Sequence, residues 1–326
     1  MPKASIIVPA YNVAETISET LRSLLAQSFI DFEIVVVDDG SSDRTVAIVR
    51  SFGDKRVRLV QQPNRGLAGA RNTGIYHAKG DYIGFCDSDD LWRPTKLATH
   101  VRHLDANPQV GLSFSGSELI DANGAPLGLA QRPRLKRITA KHVFLFNPVG
   151  NGSSAVMRRD ALDAIAFRPS GQAARDWFFD ERFRQSEDIE CWLRLCLTTD
   201  WTIEGVPGLL TRYRIVAGAL SAATDRQFAS WERLVDKLSA ISPGFFHSHA
   251  PAARALQNRY LARRAISSGK GAEALTRLRS AWAASPAALL RDPIKTGTTT
   301  GAALVLSALG PNILQRIARA SGRRLA

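Results

Sequence analysis

Cysteine is scarce: 326 residues contain Cys86, Cys191 and Cys196, an odd number with no CxxC pair. A disulfide framework and a thiolate zinc site are both disfavoured, and buried free thiols in a reducing cytoplasm are expected. The six histidines show no metal-ligand spacing, and His247 and His249, two apart, would not share a helix face. No apolar run reaches the roughly 18–20 residues of a membrane-spanning helix. Met1–Ala10 carries one lysine and no small-residue cleavage pattern, so it does not read as a secretory signal. No GxGxxG follows the first apolar run, and neither GxxxxGKS nor GxxxxGKT occurs. A dinucleotide dehydrogenase and a P-loop nucleotidase are therefore disfavoured.

Acidic residues are also in short supply, but only in one part of the chain. Residues 225–326 hold 16 Lys/Arg against 5 Asp/Glu, or +11, while residues 1–224 hold 27 against 25, or +2. The excess of positive charge in the C-terminal third points to an anionic partner there, a phospholipid surface or nucleic acid being the usual ones.

The chain is long enough to bury a large core. Its first 115 residues alternate apolar runs with helical spacing. Strands are predicted at Ser5–Pro9, Glu33–Asp38, Val57–Gln61, Tyr82–Cys86 and Val110–Ser115. Helices are predicted over Thr16–Gln27, Arg44–Phe52, Gly66–Ala78 and Arg93–Ala106, with Gly69 and Gly74 weakening the third. This is an α/β pattern with a mostly parallel sheet, whose ligands bind beyond the carboxyl ends of the strands. Three strands end in unusual polar groups: Pro9-Ala10-Tyr11-Asn12, Asp38-Asp39-Gly40 and Asp87-Ser88-Asp89-Asp90. All three are expected along one edge.

The third group carries the most chemistry. If the backbone stays extended past Cys86, Asp87 and Asp89 face the same way and Ser88 the other. Paired carboxylates repel unless a cation lies between them, and hard oxygen donors suit Mg²⁺ or Mn²⁺ shared with a substrate phosphate. A lone DxD more often reads as a solvated acidic turn capping the next helix. A nucleotide sugar would use such an edge well, with Tyr11 stacking on a base and Asp38 or Asp39 accepting from base N–H or ribose hydroxyl groups.

SIIVPAYN (Ser5–Asn12), VVVDDGSSD (Val35–Asp43), GLAGARNTGI (Gly66–Ile75) and GDYIGFCDSDDLW (Gly80–Trp92) together resemble glycosyltransferase family 2. The resemblance implies the GT-A fold and an inverting, metal-dependent transferase. It implies that Pro9, Ala10, Tyr11, Asp38 and Asp39 line the nucleoside pocket and that Arg71 approaches the phosphates, a solvated helix position being the alternative. The alternative for one of Asp38 and Asp39 is that it only caps the following helix, Arg44–Phe52. Asp87 and Ser88 then lie by the ribose and metal, Asp89 is the main ligand for Mn²⁺ or Mg²⁺, and Asp90 lies beside the donor sugar. In QSEDIECWLRL (Gln185–Leu195), Asp188 matches the family's catalytic base in the first turn of a helix, where the helix dipole favours the ionised form. Glu187, Trp192, Asn151, Ser153 and Arg214 are the acceptor-side candidates. After Arg212-Tyr213-Arg214 the segment IVAGALSA departs from the family's serine-rich turn.

The expected layout is a catalytic domain over 1–224, with a nucleotide-sugar half to 115 and an acceptor half beyond it, then a basic all-α extension over 225–326. In that extension Tyr260–Ile266 and Ala272–Ala284 resemble one tetratricopeptide-like hairpin. A terminal segment carries Ile313, Leu314 and Ile317 with Arg316, Arg319, Arg323 and Arg324. The resemblance implies a UDP-sugar donor and a saccharide or polyprenyl-diphosphate-linked acceptor. Peripheral contact with the inner face of the plasma membrane would run through the basic region, and no nucleic acid is expected. A sugar-nucleotide nucleotidyltransferase and a non-catalytic basic adaptor are the other readings. The former needs a glycine-rich loop after the first strand, and PAYN is not one.

Overall fold

The computed structural model describes residues 1–171, 175–215 and 224–310. IVAGALSA beyond Ile215 and the terminal segment from 311 onward lie outside the described residues. Contacts divide the chain into two units: one holds every strand, and the other holds the C-terminal helices with Phe144–Phe146.

In the first unit, β1 (Ala4–Ala10) and β2 (Phe32–Asp38) are buried along their whole length. Their near-continuous apolar sequence suits strands covered on both faces. They pair in parallel with Ala10 opposite Asp38; β3 (Val57–Gln61) extends the sheet on one side and β4 (Tyr82–Phe85) on the other, with Ile7 opposite Phe85. The crossovers are α1 (Ile17–Leu25), α2 (Thr45–Ser51) and α3 (Gly66–His77). Ile17, Leu21 and Leu24 of α1 face the core formed by β1 and β2. Every residue from Ala68 to Ile75 of α3 is buried, so no single apolar stripe marks it, and Gly74 lets the helix close onto Ile7 of β1. The glycines thus serve close packing and do not break the helix.

The sheet continues through β5 (Leu91–Trp92), α4 (Lys96–Ala106), β6 (Val110–Ile120), β7 (Pro126–Gln131), α5 (Ala140–Phe146), a 3₁₀ turn at Gly152–Ser154, β8 (Val156–Arg158), α6 (Arg159–Asp163), α7 (Glu187–Thr198) and β9 (Thr202–Arg214). Among the described residues, nine strands run in the order β3-β2-β1-β4-β8-β6-β9-β5, with β7 beside β6. The β3-β2-β1-β4 block and the β6–β9 pair are parallel; β4–β8, β6–β8, β6–β7 and β5–β9 are antiparallel.

Two predicted boundaries move for reasons that bear on the site. β4 stops at Phe85, and Asp90 N donates to Asp87 O at 3.0 Å, so the acidic run is a tight turn. The alternation that set Asp87 and Asp89 on one face does not apply. The helix expected from Arg93 begins at Lys96, because Leu91 and Trp92 pair with Arg212 and Thr211 of β9.

The second unit contains α8 (Thr224–Ser239), α9 (Pro243–Ser267), α10 (Gly271–Ala284), α11 (Pro286–Leu290) and α12 (Pro293–Leu309). α9 and α10 form the expected hairpin, closed by an apolar cluster of Ala262, Ala265, Ala274, Leu278 and Ala303. Gly271 lies against the backbone at Ser307 of α12, where a side chain would not fit. Among the described residues, no helix is long and apolar enough to cross a membrane.

Candidate active site

The parallel register brings the three polar strand ends together. Asp39 N donates to Ala10 O (2.8 Å), and Cys86 N donates to Ile7 O (3.0 Å). The loop after β1 is stitched to the loop after β2: Asn12 N reaches Ser41 Oγ (3.0 Å), and Asn12 Oδ1 accepts from Ser42 N (2.8 Å). Asn12 holds φ at 52°, a left-handed conformation stored where the strand ends meet. Pro9 and Ala10 are buried, while Tyr11 is 52% exposed, an aromatic ring left open at this edge.

Asp38 and Asp39 are both buried but do different things. Asp38 accepts from Ser41 N (3.1 Å) and Gln61 Nε2 (3.2 Å). Asp39 accepts from Gln62 Nε2 (2.6 Å), Arg65 N (2.8 Å) and Gly66 N (2.8 Å). Asp39 therefore caps α3, a helix 27 residues on, while the nearer helix α2 is served by Asp43, which accepts from Thr45 N (2.9 Å).

The acid loop Asp87–Asp90 is held by groups that its own sequence does not reveal. Ser153 Oγ donates to Asp90 Oδ2 (2.5 Å) and accepts from Asp87 N (2.9 Å). Trp92 Nε1 donates to Ser153 O (3.0 Å), and Thr20 Oγ1 donates to Ser88 O (2.9 Å). Below the turn, the fully buried Lys96 donates to Ser154 O (3.0 Å), lies 3.3 Å from His100 Nε2 and sits over the Trp92 ring. Burial lowers its amine to about 7. Arg214 N donates to Asp90 Oδ1 (2.8 Å) and its Nε to Asp89 O (2.6 Å). Its Nη atoms go to Ala122 O (2.7 Å) and Glu19 Oε2 (2.6 Å).

Burial, together with repulsion from Asp87, raises the Asp89 carboxyl to about 6; burial followed by Asp89 and Asp87 raises Asp90 as well. Crowded, poorly hydrated carboxylates of this kind fit a hard divalent cation. Among the described residues no three His, Cys, Asp or Glu side chains are grouped to hold one. A cation here would therefore draw on one or two carboxylates and complete its shell with ligand oxygens and water.

The segment expected to supply the base meets the acid loop through Arg71. This side chain is 2% exposed, and Nη2 pairs with Asp87 Oδ1 (2.8 Å) while Nη1 pairs with Glu187 Oε1 (2.7 Å). The solvated alternative for Arg71 is excluded, and its terminal nitrogens are committed to carboxylates. Glu187 and Asp188 open α7 behind Ser186, whose φ of 62° is again left-handed. Asp188 Oδ1 accepts from Ile189 N (2.8 Å). Poor solvation pushes the Asp188 carboxyl upward, with Arg71 and the helix N–H groups pulling it back. The direction is opposite to the one expected from the helix dipole alone.

The five acceptor-side candidates are all buried. Asn151 is spent on Ser117 Oγ (3.0 Å), Gln131 Oε1 (3.2 Å) and Ser154 Oγ (2.9 Å). Ser153 braces the acid loop, and Trp192 is fully buried against Phe179. Glu187 faces Arg71, and Arg214 clamps the acid loop. Glu181, absent from the expected site, ties the start of α3 down through Arg65 (2.8 Å) and Asn72 (3.0 Å). Nothing in its local sequence marks it.

A sequence-family profile described as "Glycosyl transferase family 2" matches residues 5–166. The Escherichia coli protein named UDP-Glc:alpha-D-GlcNAc-diphosphoundecaprenol beta-1,3-glucosyltransferase WfgD is 30% identical over 234 residues, 71% of this chain and 85% of that protein. The chain belongs to glycosyltransferase family 2. Two solved structures share its fold. S. aureus TarS 1-349, in complex with UDP-GlcNAc, has a TM-score of 0.59 at 19% identity, over 92% of this chain and 90% of that one. The Pyrobaculum calidifontis mannosyltransferase PcManGT, in complex with GDP-Man and Mn²⁺, has a TM-score of 0.59 at 22% identity, over 94% and 86%. The expected GT-A fold is thus present in this family 2 glycosyltransferase, with its mixed sheet followed by C-terminal helices.

Proposed function

We propose that this family 2 glycosyltransferase moves one sugar from a nucleotide-diphospho-sugar, with UDP as the carrier, to a hydroxyl of a saccharide or lipid-linked saccharide, with inversion at the anomeric carbon. The observation that carries the reading is the single guanidinium of Arg71 between Asp87 and Glu187, which brings the acid loop and the start of α7 to one place. Asp188, beside Glu187, takes the proton of the acceptor hydroxyl as its oxygen attacks from the face opposite the diphosphate. An upward-shifted carboxyl suits a base working near neutral pH. Tyr11 stacks on the base. Asp38 and the remaining lone pair of Asp39 accept from the nucleoside, with Pro9, Ala10 and Ser88 shaping the pocket and Asp90 flanking the donor sugar. Asp89, with Asp87, is the place for Mn²⁺ or Mg²⁺, which when bound neutralises charge developing on the leaving diphosphate. Complexes of TarS with UDP-GlcNAc and of PcManGT with GDP-Man and Mn²⁺ support the donor class and the metal.

The name of WfgD, whose acceptor is a GlcNAc-diphosphoundecaprenol, supports a polyprenyl-diphosphate-linked acceptor and a place in cell-surface polysaccharide synthesis. The charge of +11 over residues 225–326 suits a peripheral visit to the anionic inner face of the plasma membrane. Flotation with anionic liposomes at low salt checks this; no binding by the full chain removes it. The central experiment is a donor screen with Mn²⁺ and saccharide acceptors, reading the anomer of the product by NMR. Sugar transfer that is retaining, or that survives in Asp89→Ala, sinks the mechanism.

A further inference from the structure

We propose that Arg71 is a positioning residue for transfer. It locks the donor-side acid loop and the helix that bears the base into one geometry, without itself contacting the donor. The proposal rests on the transferase reading above.

The guanidinium joins three segments far apart in the chain: α3 carries it, Asp87 lies in the turn after β4, and Glu187 opens α7. Its freedom is removed from several sides. The ring of Phe179 lies 5.4 Å from its centre, and Gly152 of the 3₁₀ turn sits against its terminal nitrogens, leaving no room for a side chain. Its Nε has no hydrogen-bond partner among the described residues, so the fork's hydrogen bonds are the two to carboxylates. The next residue, Asn72, fastens the same turn of α3 to the chain leading into α7. Asn72 Nδ2 donates to Phe179 O (2.8 Å), and its Oδ1 accepts from Phe178 N (3.0 Å) and Phe179 N (2.9 Å).

A planar guanidinium holds two carboxylates at a fixed separation, which a single ammonium does not do. Holding Glu187 from the donor side fixes the rotation of the first turn of α7. The adjacent Asp188 is thereby set relative to Asp87 and whatever Asp87 binds. The left-handed Ser186 immediately before that turn shows backbone strain at the point that must be held. A displacement of about 1 Å between reacting groups costs on the order of 100-fold in rate.

The test compares wild type, Arg71→Lys, Arg71→Met and the double variant R71M/E187Q. The double variant is included because R71M alone strands a buried Glu187 carboxylate and weakens the fold. Donor affinity is measured by calorimetry, and kcat and donor KM by sugar release. Positioning predicts a fall in kcat of about 100-fold in R71M/E187Q, with donor affinity and KM within about threefold, and an intermediate kcat for R71K. A double variant with kcat within about threefold of wild type overturns the proposal. So does a loss carried by donor KM and affinity, which would mark Arg71 as a direct donor contact. Wild type that neither binds a nucleotide sugar nor transfers one overturns the transferase reading first, and the proposal with it.

Discussion

Arg214 and Asp90 are 124 residues apart in sequence, yet the backbone N–H of Arg214 donates to the Asp90 carboxylate at 2.8 Å. The last residue of β9 thus closes the acid loop from the strand that pairs with β5, which begins at Leu91. The Arg214 side chain completes the closure through Asp89 O and Glu19.

Arg214→Ala removes that side-chain clamp and takes a charged donor from the carbonyls of Asp89, Asp121 and Ala122. A loss of about 3 kcal/mol in unfolding free energy is expected, since hydrogen bonds to a charged group contribute about 1.5–3 kcal/mol each and not all are lost independently. Urea denaturation measures it. Sugar transfer in the folded fraction falls as well, because Asp89 loses its backbone restraint.

Asp188→Asn keeps the size of the side chain and removes its basicity. Its turnover is expected to fall about 1,000-fold, within the range for a general base. Donor binding by calorimetry should stay near the wild-type value. Equal losses in binding and turnover would place Asp188 on the donor instead.

Gly152→Ala puts a methyl group against the terminal nitrogens of Arg71. Activity should drop about tenfold or more with the far-ultraviolet spectrum unchanged, as a shift of the guanidinium disturbs both Asp87 and Glu187. A fully active G152A protein would show that this contact relaxes harmlessly.

Lys96 gives the fold a pH dependence of definite sign. Its amine is lowered by burial to about 7 in the folded chain, against about 10.4 in an unfolded one. Between these values the unfolded chain binds a proton that the folded chain has lost, so this site makes stability rise with pH. Below pH 7 both forms are protonated and the cost of burying the charge is constant. Lys96→Met removes the term. The stability of K96M relative to wild type should therefore decline from pH 7 to 10 by up to about 1.4 kcal/mol per pH unit. A flat difference across that range contradicts a buried, deprotonating Lys96.

Much of the scaffold was legible because it follows from local pattern. Buried parallel strands need continuous apolar runs, and SIIVP, EIVVVD and YIGF carry them plainly. The polar residues that end those runs had to meet once the strands were parallel, so the edge with Tyr11, Asp38 and Asp87 could be read from the sequence. The acid loop could not be read so well. Its carboxylates were expected on one face of an extended strand, but they sit in a turn held by Ser153, Thr20 and Arg214.

The amino-acid sequence alone determined the order of strands and helices in the first 115 residues, and the kinds of side chain available at their ends, because period and residue chemistry are local properties. Only the tertiary structure decided which polar groups remain open and which are consumed. Asp39 capping α3, Asn151 bound to Ser117 and Gln131, and Arg71 joining Asp87 to Glu187 depend on partners up to 116 residues away. A buried polar group must find such a partner wherever the fold places one, and no local pattern records the choice.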